Sequence, residues 1–360
     1  MHSSDLVQNV FDCHGTMLPW LPRNVDDEHR GIYQSYFERP LPQMELKTLH
    51  NVLVSSTGII YKRFQPLLES HPFYFQPDHD EMKNVTALYA DHRLRRWARD
   101  FLLYKLERVN NEVYWCTDTY SIGFYHWLVE ALPRIYLASL LQEKPHIYLP
   151  GCLQPLSFVH ESLNFFPDVR FDMMKPASRS KFKKMRWVSQ MGSGYQFNPP
   201  LMKALRDHLI QQAGIKRNPK KRTRLFISRK KAPKRKIINE DEVESALKPL
   251  GFQTVYFEDY SLLEQMKLCA NAELFVGIHG AGLSNMLFLP PDAKVLEIQK
   301  LNDWASCFFR LAHSLDLDYY YTYCPHFPPE EVSELKADLV VDVDQLLTVI
   351  SSMTEKLSTD

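Results

Sequence analysis

The sequence predicts an α/β protein made of two Rossmann-like domains that face a cleft. The chain has 360 residues, which is more than one hydrophobic core usually serves, so two domains are expected. Residues 222–325 alternate between strand-like and helix-like segments, which is typical of a parallel sheet covered by helices. Within that half, a glycine-rich turn joins a strand to a helix, a common site for an anionic ligand in such folds.

The composition is that of a globular protein. Hydrophobic residues make up 45% of the chain and charged residues 24%, which argues against a disordered chain. The formal net charge is zero, and this argues against a dedicated nucleic-acid-binding protein.

The positive charge is concentrated in two clusters of basic residues, although the net charge is zero. Twelve lysines and arginines and no acid lie between Lys216 and Lys236. A second cluster comprises Lys175, Arg179, Lys181, Lys183, Lys184 and Arg186. Such runs are solvated surface in most proteins. The alternative is a positive field for a nucleotide diphosphate or for peripheral contact with an anionic membrane.

Cysteine usage and hydropathy predict the compartment. Six cysteines are spread along the chain without metal-site spacing, so we expect them to be reduced. No apolar run follows the polar start Met1–Asp5, and no window approaches about 18 uninterrupted apolar residues. These features favour a cytoplasmic, bacterial protein, peripheral at the inner membrane at most.

Residues 1–215 are predicted to form an N-terminal α/β domain. A hairpin is expected around Ser55–Gly58, because β-type runs flank this turn-forming segment. Apolar residues recur at helical spacing from Phe124 to Leu141, with Pro133 as a kink or a break. The other predicted elements are strands at Glu112–Trp115, His146–Leu149 and Arg186–Val188 and a helix at Leu153–Phe165.

Residues 222–325 are predicted to form the second domain. A helix from Leu201 to Ala213 precedes it, opened by two prolines and ended by Gly214. The predicted elements are strands at Arg224–Arg229, Phe252–Tyr256, 274–276 and 295–298, with helices beginning at Asn239 and Ser261. The last segment, 326–360, is expected to be partly helical and to pack back on the N-terminal domain.

The glycine-rich turn is the strongest local signal. Gly277, Gly280 and Gly282 bracket His279, and the apolar run 283–289 that follows predicts a packed helix. Glycines here let backbone N–H groups approach an anion, and His279 could donate to a phosphate oxygen. The spacing is neither the dinucleotide fingerprint nor a P-loop. The other interpretation is an ordinary strand–helix turn whose glycines serve tight packing.

Three segments resemble the glycosyltransferases of family 61. They are SIGFYHWLVEALPRIYLA (121–138), LFISRKKAPKRKIINEDEV (225–243) and VGIHGAGLSNMLFLPPDAKVLEI (276–298), in the order of that family. The resemblance covers residues 114–320, and the first hundred residues carry none. It implies a GT-B fold and inverting transfer of a sugar from a nucleotide diphosphate sugar, UDP-linked, to a hydroxyl. For a bacterial member it points to capsular or other cell-surface polysaccharide synthesis.

The resemblance also implies a donor site in the second domain. Arg229 and Arg235 are assigned to the diphosphate, since two arginines can clamp it bidentately. His279, Gly280, Ala281 and Gly282 are expected to lie under the sugar nucleotide. Ser284 and Asn285 could reach the phosphate or the ribose, and Glu258 the ribose or the base. Asn239 and Glu240 belong to the same motif as the two arginines. Asn239 and Glu240 have an alternative role in helix capping, and Glu297 could lie near the nucleotide or form a structural ion pair.

The catalytic candidates lie in the first domain. His126 and Glu130 are four residues apart, on one face of the predicted helix. Inverting transfer needs a base beside the acceptor hydroxyl, which this acceptor-side domain would supply. The resemblance implies an acid at Glu130 and a histidine at His126, so Glu130 is the first candidate and His126 the second, with Asp118 as another carboxylate. His126 could instead be a core histidine, and Arg134 could pair with Glu130 and lower its basicity.

No metal or cofactor is expected. Three D-x-D triplets occur, at Asp78–Asp80, Asp316–Asp318 and Asp342–Asp344, but none lies early in a Rossmann half after a strand. The predicted partners are a nucleotide sugar and a glycan or lipid-linked glycan acceptor, with no nucleic acid. Two alternatives stay open: a sugar-nucleotide epimerase or hydrolase of the same fold, and a non-catalytic sugar-nucleotide-binding module.

Overall fold

A computed structural model describes residues 3–12, 20–35, 44–70, 93–190, 197–300, 306–327 and 338–354. Its helices are α1 Ser3–Phe11, α2 Asp27–Gln34, α3 Arg93–Ala98, α4 Phe124–His126, α5 Leu132–Leu141, α6 Ser157–Leu163, α7 Pro199–Gln212, α8 Glu240–Leu247, α9 Leu262–Cys269, α10 Cys307–Ser314 and α11 Val343–Thr354. Its strands are β1 Leu46–Ser55, β2 Ile60–Lys62, β3 Gln65–Pro66, β4 Lys105–Val109, β5 Val113–Trp115, β6 His146–Leu149, β7 Arg170–Met173, β8 Ser178–Val188, β9 Thr223–Ile227, β10 Phe252–Val255, β11 Ala272–Ile278, β12 Lys294–Lys300, β13 Asp318–Cys324, β14 His326–Phe327 and β15 Asp338–Leu339.

The chain divides into two compact units. The first comprises Met1–Gly15 and Leu41–Leu205, and the second comprises Thr16–Pro40 and Arg206–Asp360. Each has its own sheet and its own buried apolar core. The mixture of sheets and helices confirms the predicted α/β class.

A mixed sheet of eight strands forms the first unit. Seven strands follow the order β3-β2-β1-β8-β5-β6-β7, and β4 also pairs with β8. The predicted hairpin is confirmed, because β1 and β2 pair antiparallel, with Leu53 opposite Tyr61, and Gly58 in the turn has a φ of +92°. Trp115 and Trp187 are buried in its core, and each buried side chain of this kind contributes about 1.5–3 kcal/mol.

The helix predicted over residues 124–141 is interrupted. A π-helical segment, Trp127–Ala131, lies between α4 and α5. Pro133 has no N–H and its ring excludes the carbonyl four residues earlier, so the α-helical pattern cannot run through this turn. The N–H of Leu132 bonds the carbonyl of Trp127, and Arg134 Nε donates to the carbonyl of Glu130 at 2.9 Å.

The second unit contains a parallel sheet of five strands in the order β10-β9-β11-β12-β13. The chain starts at β9, adds β10 on one side and then crosses to build β11, β12 and β13 on the other. This is a doubly wound sheet, as the alternation of segments predicted. Its switch point lies between β9 and β11, and ligands of such sheets bind outside the carboxyl ends of the strands at that point.

Two helices predicted in this unit are present, one as an α-helix and the other as a 3₁₀-helix. Helix α9 begins as expected, because Ser261 and Glu264 form a capping box. The packed helix predicted after the glycine-rich turn is present at Ala281–Phe288 and is of the 3₁₀ type. The side chain of Asn285 donates to the carbonyl of Gly282 at 3.2 Å, which competes with an α-helical bond to that carbonyl.

The C-terminal segment and the segment Thr16–Pro40 also belong to this second unit. The apolar side chains of α11, Leu346, Ile350 and Met353, pack in the core that contains the sheet of the second unit, whereas the sequence predicted packing on the N-terminal domain. The segment before α2 lies along β13, where Asn24 Nδ2 donates to the carbonyl of Tyr321 at 2.7 Å. The sequence carried no signal for this second contact.

Candidate functional site

The switch point of the second unit brings two predicted segments together. Strand β9 ends at Ile227 and the adjacent parallel strand β11 ends at Ile278, with Ile227 paired to Gly277. Arg229 and His279 therefore leave neighbouring strands at the same edge of the sheet. They are 50 residues apart in sequence but lie where an α/β sheet of this order binds its ligand.

Arg229 lies directly over the glycine-rich turn. A Cβ built on Gly280 would lie 3.1 Å from the guanidinium carbon of Arg229 and closer still to Nη1. Gly280 has an extended φ of 171°, so space rather than backbone conformation requires glycine here. Arg229 Nε and Nη2 donate to the carbonyls of Arg235 and Lys234, both at 3.2 Å, which fixes the plane of the guanidinium.

The surroundings of Arg229 disfavour its positive charge. Burial, and then the positive charge of Arg235, lower the pKa of Arg229, while Glu258 and Glu240 oppose this shift. Arg235 has a φ of +57°, a conformation uncommon for a non-glycine residue. An anion between these cations would offset both the burial and the repulsion.

His279 is held by a fully buried carboxylate. Its Nδ1 lies 2.5 Å from Glu297 Oε1, and the hydroxyl of Tyr319 donates to Glu297 Oε2 at 2.5 Å. Burial and the negative charge of Glu297 raise the pKa of Tyr319 well above its ordinary value. In the tautomer in which Nδ1–H donates to Glu297, Nε2 is the ring nitrogen outside this pair. Glu297 is therefore the partner of His279, one of the two roles considered for it.

The other two glycines of the turn serve packing. Added Cβ atoms would lie 3.2 Å from Ile227 Cβ at Gly277 and 3.2 Å from Ile227 Cγ2 at Gly282. Both glycines let the turn lie flat against the end of β9. The packing interpretation thus describes Gly277 and Gly282, whereas Gly280 makes room for Arg229. Ala281, between them, is partly exposed.

Ser284 and Asn285 lie beneath the turn rather than at its surface. Both are fully buried, and Asn285 Nδ2 donates to Gln265 Oε1 at 3.0 Å. Among the described residues, Ser284 Oγ and Asn285 Oδ1 have no hydrogen-bond partner. The 3₁₀ turn directs both side chains inward, so the predicted contact with phosphate or ribose is not available to them in this conformation.

Polar residues that follow β9 form hydrogen bonds within the second unit, next to Arg229 in the sequence. Ser228 Oγ donates to Glu240 Oε1, and burial raises the pKa of this carboxyl group. Asn239 occupies the N-cap position of α8 but makes no capping bond. Its amide instead pairs with Val341, donating to the carbonyl and accepting from the N–H, both at 2.9 Å. Asn239 is thus a structural link, while Glu258 is exposed near Arg229.

In the first unit, His126 and Glu130 form a hydrogen-bonded pair. His126 Nδ1 lies 2.8 Å from Glu130 Oε2, and the two side chains are 21% and 19% exposed. Burial disfavours protonation of His126, but the bond to Glu130 and the charges of Glu130 and Asp118 outweigh it, so the pKa of His126 is raised. His126 is therefore not a core histidine, although the neighbouring Trp127 is fully buried.

Asp118 has a different environment. Its Oδ2 accepts from Arg134 Nη2 at 2.5 Å, and both side chains are 1% exposed. Gln190 Nε2 and the N–H of Tyr120 also donate to Asp118. The predicted pair between Arg134 and Glu130 is thus replaced by a buried pair with Asp118. This leaves the Glu130 carboxylate free of Arg134 and makes Asp118 a structural anchor rather than a base.

Many residues of the two basic clusters are neutralised locally. Lys230 Nζ lies 2.7 Å from Asp241 and 2.9 Å from Glu244, and Lys231 pairs with Asp259. These lysines stay partly solvated, as such runs usually are, and they are paired with acids of α8 and with Asp259 after β10. In the second cluster, Lys184 pairs with Glu112.

The described residues contain no group of three or more His, Cys, Asp or Glu side chains that could hold a metal ion. Of the three D-x-D triplets, the one at residues 78–80 lies outside the described residues. Asp318 pairs with Arg23, and Asp342 accepts from the N–H of Gln345 at the start of α11. None of the helices in the described ranges has the length and apolar character needed to span a bilayer.

Comparison with known proteins gives a consistent picture. Residues 124–296 match the model of the family described as glycosyltransferase 61. The chain is 34% identical over 235 residues to the EGF domain-specific O-linked N-acetylglucosamine transferase of Mus musculus, covering 61% of this chain and 41% of that protein. The same enzyme of Canis lupus familiaris is 33% identical over 134 residues, 35% of this chain and 25% of that protein. The chain thus spans less than half the length of these relatives.

Proposed function

From the premise that this chain is a member of glycosyltransferase family 61, we propose that it transfers a sugar from a nucleotide diphosphate sugar to a hydroxyl group, with inversion. The observation that carries the proposal is that Arg229, with the positive charge of Arg235 acting on it, lies over the glycine-rich turn that carries His279, at the switch point of a doubly wound sheet. All three lie in the segment that matches the family model.

The donor end of the reaction requires stabilisation of a leaving diphosphate. As the anomeric C–O bond breaks, the electron pair passes to the diphosphate oxygen and negative charge grows there. Arg229 and Arg235 supply fixed positive charge, and Nε2 of His279, oriented by Glu297, supplies a further contact. With this charge in place we propose a metal-independent reaction and a UDP-linked donor.

The acceptor end requires a base. We assign this role to Glu130, with His126 as the second candidate, because the pair is partly exposed and hydrogen-bonded at 2.8 Å. The base removes the proton from the acceptor hydroxyl as its oxygen attacks the anomeric carbon opposite the leaving group. A GT-B arrangement stays a prediction of the resemblance.

The relatives narrow the choice of donor to test. They are named as transferases of N-acetylglucosamine that act on EGF domains, so UDP-N-acetylglucosamine is our first donor. A glycan or lipid-linked glycan of a bacterial cell surface is the acceptor that the sequence predicted, and an EGF-type domain is the acceptor that the relatives suggest. Cytoplasmic location and peripheral membrane contact through the basic clusters belong to the same proposal.

The test separates transfer from binding. Wild-type protein and Glu130→Gln are compared for UDP affinity by titration calorimetry and for transfer, hydrolysis and epimerisation by product analysis in the presence of EDTA. We expect transfer by the wild type only, with UDP affinity unchanged in the variant. His126→Ala indicates whether the imidazole or the carboxylate is the base.

Other outcomes would contradict this assignment in different ways. Undiminished transfer by Glu130→Gln would reject the base. Epimerised or hydrolysed donor without transfer to any acceptor would favour the alternative enzyme class. UDP binding without any turnover by the wild type would indicate a binding module, and wild-type UDP affinity in both Arg229→Ala and Arg235→Ala would reject the diphosphate site.

A further inference from the structure

A cavity lies within the first unit. It has a volume of about 370 Å³, which is within the range of about 300–1,000 Å³ for small-ligand sites. Its lining residues are Asn51, Leu53, Tyr61, Arg63, Phe64, Phe101, Leu106, Arg179 and Lys181. The lining includes neither His126 nor Glu130. Of the lining residues, only Arg179 and Lys181 lie in the segment that matches the family model.

The alternation of strand β8 places the cations of this cavity. Phe182 is buried in the core, while Arg179 and Lys181 alternate with buried residues and lie on the other face of the sheet. Each has one apolar cross-strand neighbour: Leu106 of β4 is opposite Arg179, and Leu53 of β1 is opposite Lys181. Their other cross-strand neighbours are Ser55 of β1, opposite Arg179, and Arg108 of β4, opposite Lys181. Cationic and aliphatic side chains thus share one surface of the sheet.

An aromatic wall closes the cavity. The rings of Tyr61 and Phe101 lie 5.1 Å apart, and those of Phe64 and Phe101 lie 5.5 Å apart. Arg179 Nη1 donates to the carbonyl of Phe101 at 2.6 Å, and the guanidinium lies 5.3 Å from the ring of the same residue. The wall and the nearest cation therefore hold each other in place.

Backbone strain is concentrated around this cavity. Asn51, Arg63 and Phe64 have φ values of +52°, +49° and +65°, and they are three of the seven described non-glycine residues with positive φ. Arg63 and Phe64 are the two central residues of the turn closed by Lys62 opposite Gln65. Two positive φ values are typical of a type I′ turn, which favours Asn-Gly rather than two large side chains.

This turn presents a cation and an aromatic ring at a conformational cost. Phe64 is 68% exposed, so burial of its side chain does not offset the cost of the strained backbone. Strained residues that the fold does not need are typical of ligand sites. Within the described part of the chain, no carboxylate forms an ion pair with Arg63, Arg179 or Lys181, which leaves a concave apolar surface with three cations around it.

We propose that this cavity binds an anionic amphiphile, in which a phosphate or sulfate is joined to an aliphatic or aromatic group. The anion would contact Arg63 and Lys181, and the apolar group would pack on Phe64, Phe101 and Leu106. Both parts are needed, because neither an exposed cation cluster nor an open apolar surface alone holds a small ligand tightly. The proposal is independent of the glycosyl transfer proposed above.

The test uses the full chain and decyl phosphate below its micelle-forming concentration, followed by titration calorimetry. Inorganic phosphate and decanol are the matched half-ligands, and we expect each to bind at least about tenfold more weakly. Lys181→Ser should weaken decyl phosphate binding by about tenfold, the usual effect of losing one charge-assisted contact. Lys183→Ser is the control, since Lys183 lies on the same strand but outside the cavity.

The double change Arg63→Asn with Phe64→Gly gives a second, independent readout. It installs the residues that a type I′ turn favours, so Tm should rise while decyl phosphate binding is lost. No saturable binding by the wild type, retained binding by this double variant, or equal losses in Lys181→Ser and Lys183→Ser would each overturn the proposal.

Vesicles distinguish a free amphiphile from a membrane surface. Phosphatidylcholine vesicles with and without phosphatidic acid are added to wild-type and variant protein. Binding to the acidic vesicles that is lost in Lys181→Ser but kept in Lys183→Ser would place a lipid phosphate in the cavity. Vesicle binding without any binding of decyl phosphate would indicate surface adsorption and would reject the cavity as the site.

Discussion

Gly280→Ala should impair anion binding through Arg229 while leaving the fold intact. The added Cβ would lie within 3.0 Å of Arg229 Nη1, whereas ordinary contact begins at 3.4 Å. The guanidinium must therefore retreat by at least 0.4 Å, the difference between these two values. Its bonds to the carbonyls of Arg235 and Lys234 are already 3.2 Å long, at the upper limit of normal geometry, so this shift breaks or bends them.

The expected magnitude follows from the chemistry of the contact. A hydrogen bond to a charged group contributes about 1.5–3 kcal/mol, which corresponds to a loss of about ten- to a hundredfold in UDP affinity. Stability should change little, because the extended backbone of Gly280 accepts alanine without strain. Arg229 is also a long side chain near the surface that can move.

The assay is titration calorimetry with UDP, combined with thermal unfolding. Gly282→Ala is the matched control, since its Cβ would meet Ile227 and Phe257 but not Arg229. The decisive measurement is a double-mutant cycle with Arg229→Ala. If Gly280→Ala acts through Arg229, it has no further effect in the Arg229→Ala background. Wild-type UDP affinity in Gly280→Ala, or additive losses in the double variant, would refute the reasoning.

Three further predictions concern buried charges and the acid–histidine pair. Asp118→Asn should destabilise the protein by about 3–5 kcal/mol, because it leaves Arg134 buried without its counter-charge; chemical denaturation measures this, and a loss below about 1 kcal/mol would mean that the pair is solvated. The raised pKa of His126 means that its pair with Glu130 stabilises the fold fully below the unfolded pKa of about 6.5 and that this contribution is lost as pH rises through the folded value. The difference in Tm between wild type and Glu130→Gln should therefore shrink with rising pH, and a difference that grew would contradict the assignment. Tyr319→Phe should cost about 1–3 kcal/mol, since it removes a donor from a fully buried carboxylate; unchanged stability by chemical denaturation would count against that role.

The sequence predicted elements well where the signal was local. The helix beginning at Ser261 and the hairpin around Ser55–Gly58 are encoded by neighbouring residues and are present in the structure. Pro133 also acted locally, and it converts the middle of a predicted helix into a π segment. The packed helix predicted after Gly282 is present as a 3₁₀-helix, a distinction that the apolar content of residues 283–289 does not make.

Side-chain partners were predicted poorly where they lie far apart in sequence. Helical spacing suggested a pair between Arg134 and Glu130, yet Arg134 binds Asp118, 16 residues away. Likewise, the resemblance suggested Ser284 and Asn285 near a ligand, and the structure buries both. A periodic pattern shows which face of an element a residue occupies, but it does not show which element lies opposite that face.

The sequence by itself determined the class of this protein, its parallel sheet and the residues that resemble those of family 61, because these depend on hydrophobic periodicity and on short motifs. Only the tertiary structure decided that Arg229 covers Gly280, that Glu297 orients His279, and that a cationic, aromatic cavity forms beside β8. The order of strands in a sheet brings distant residues together, and that order is set by long-range packing rather than by any local run of residues.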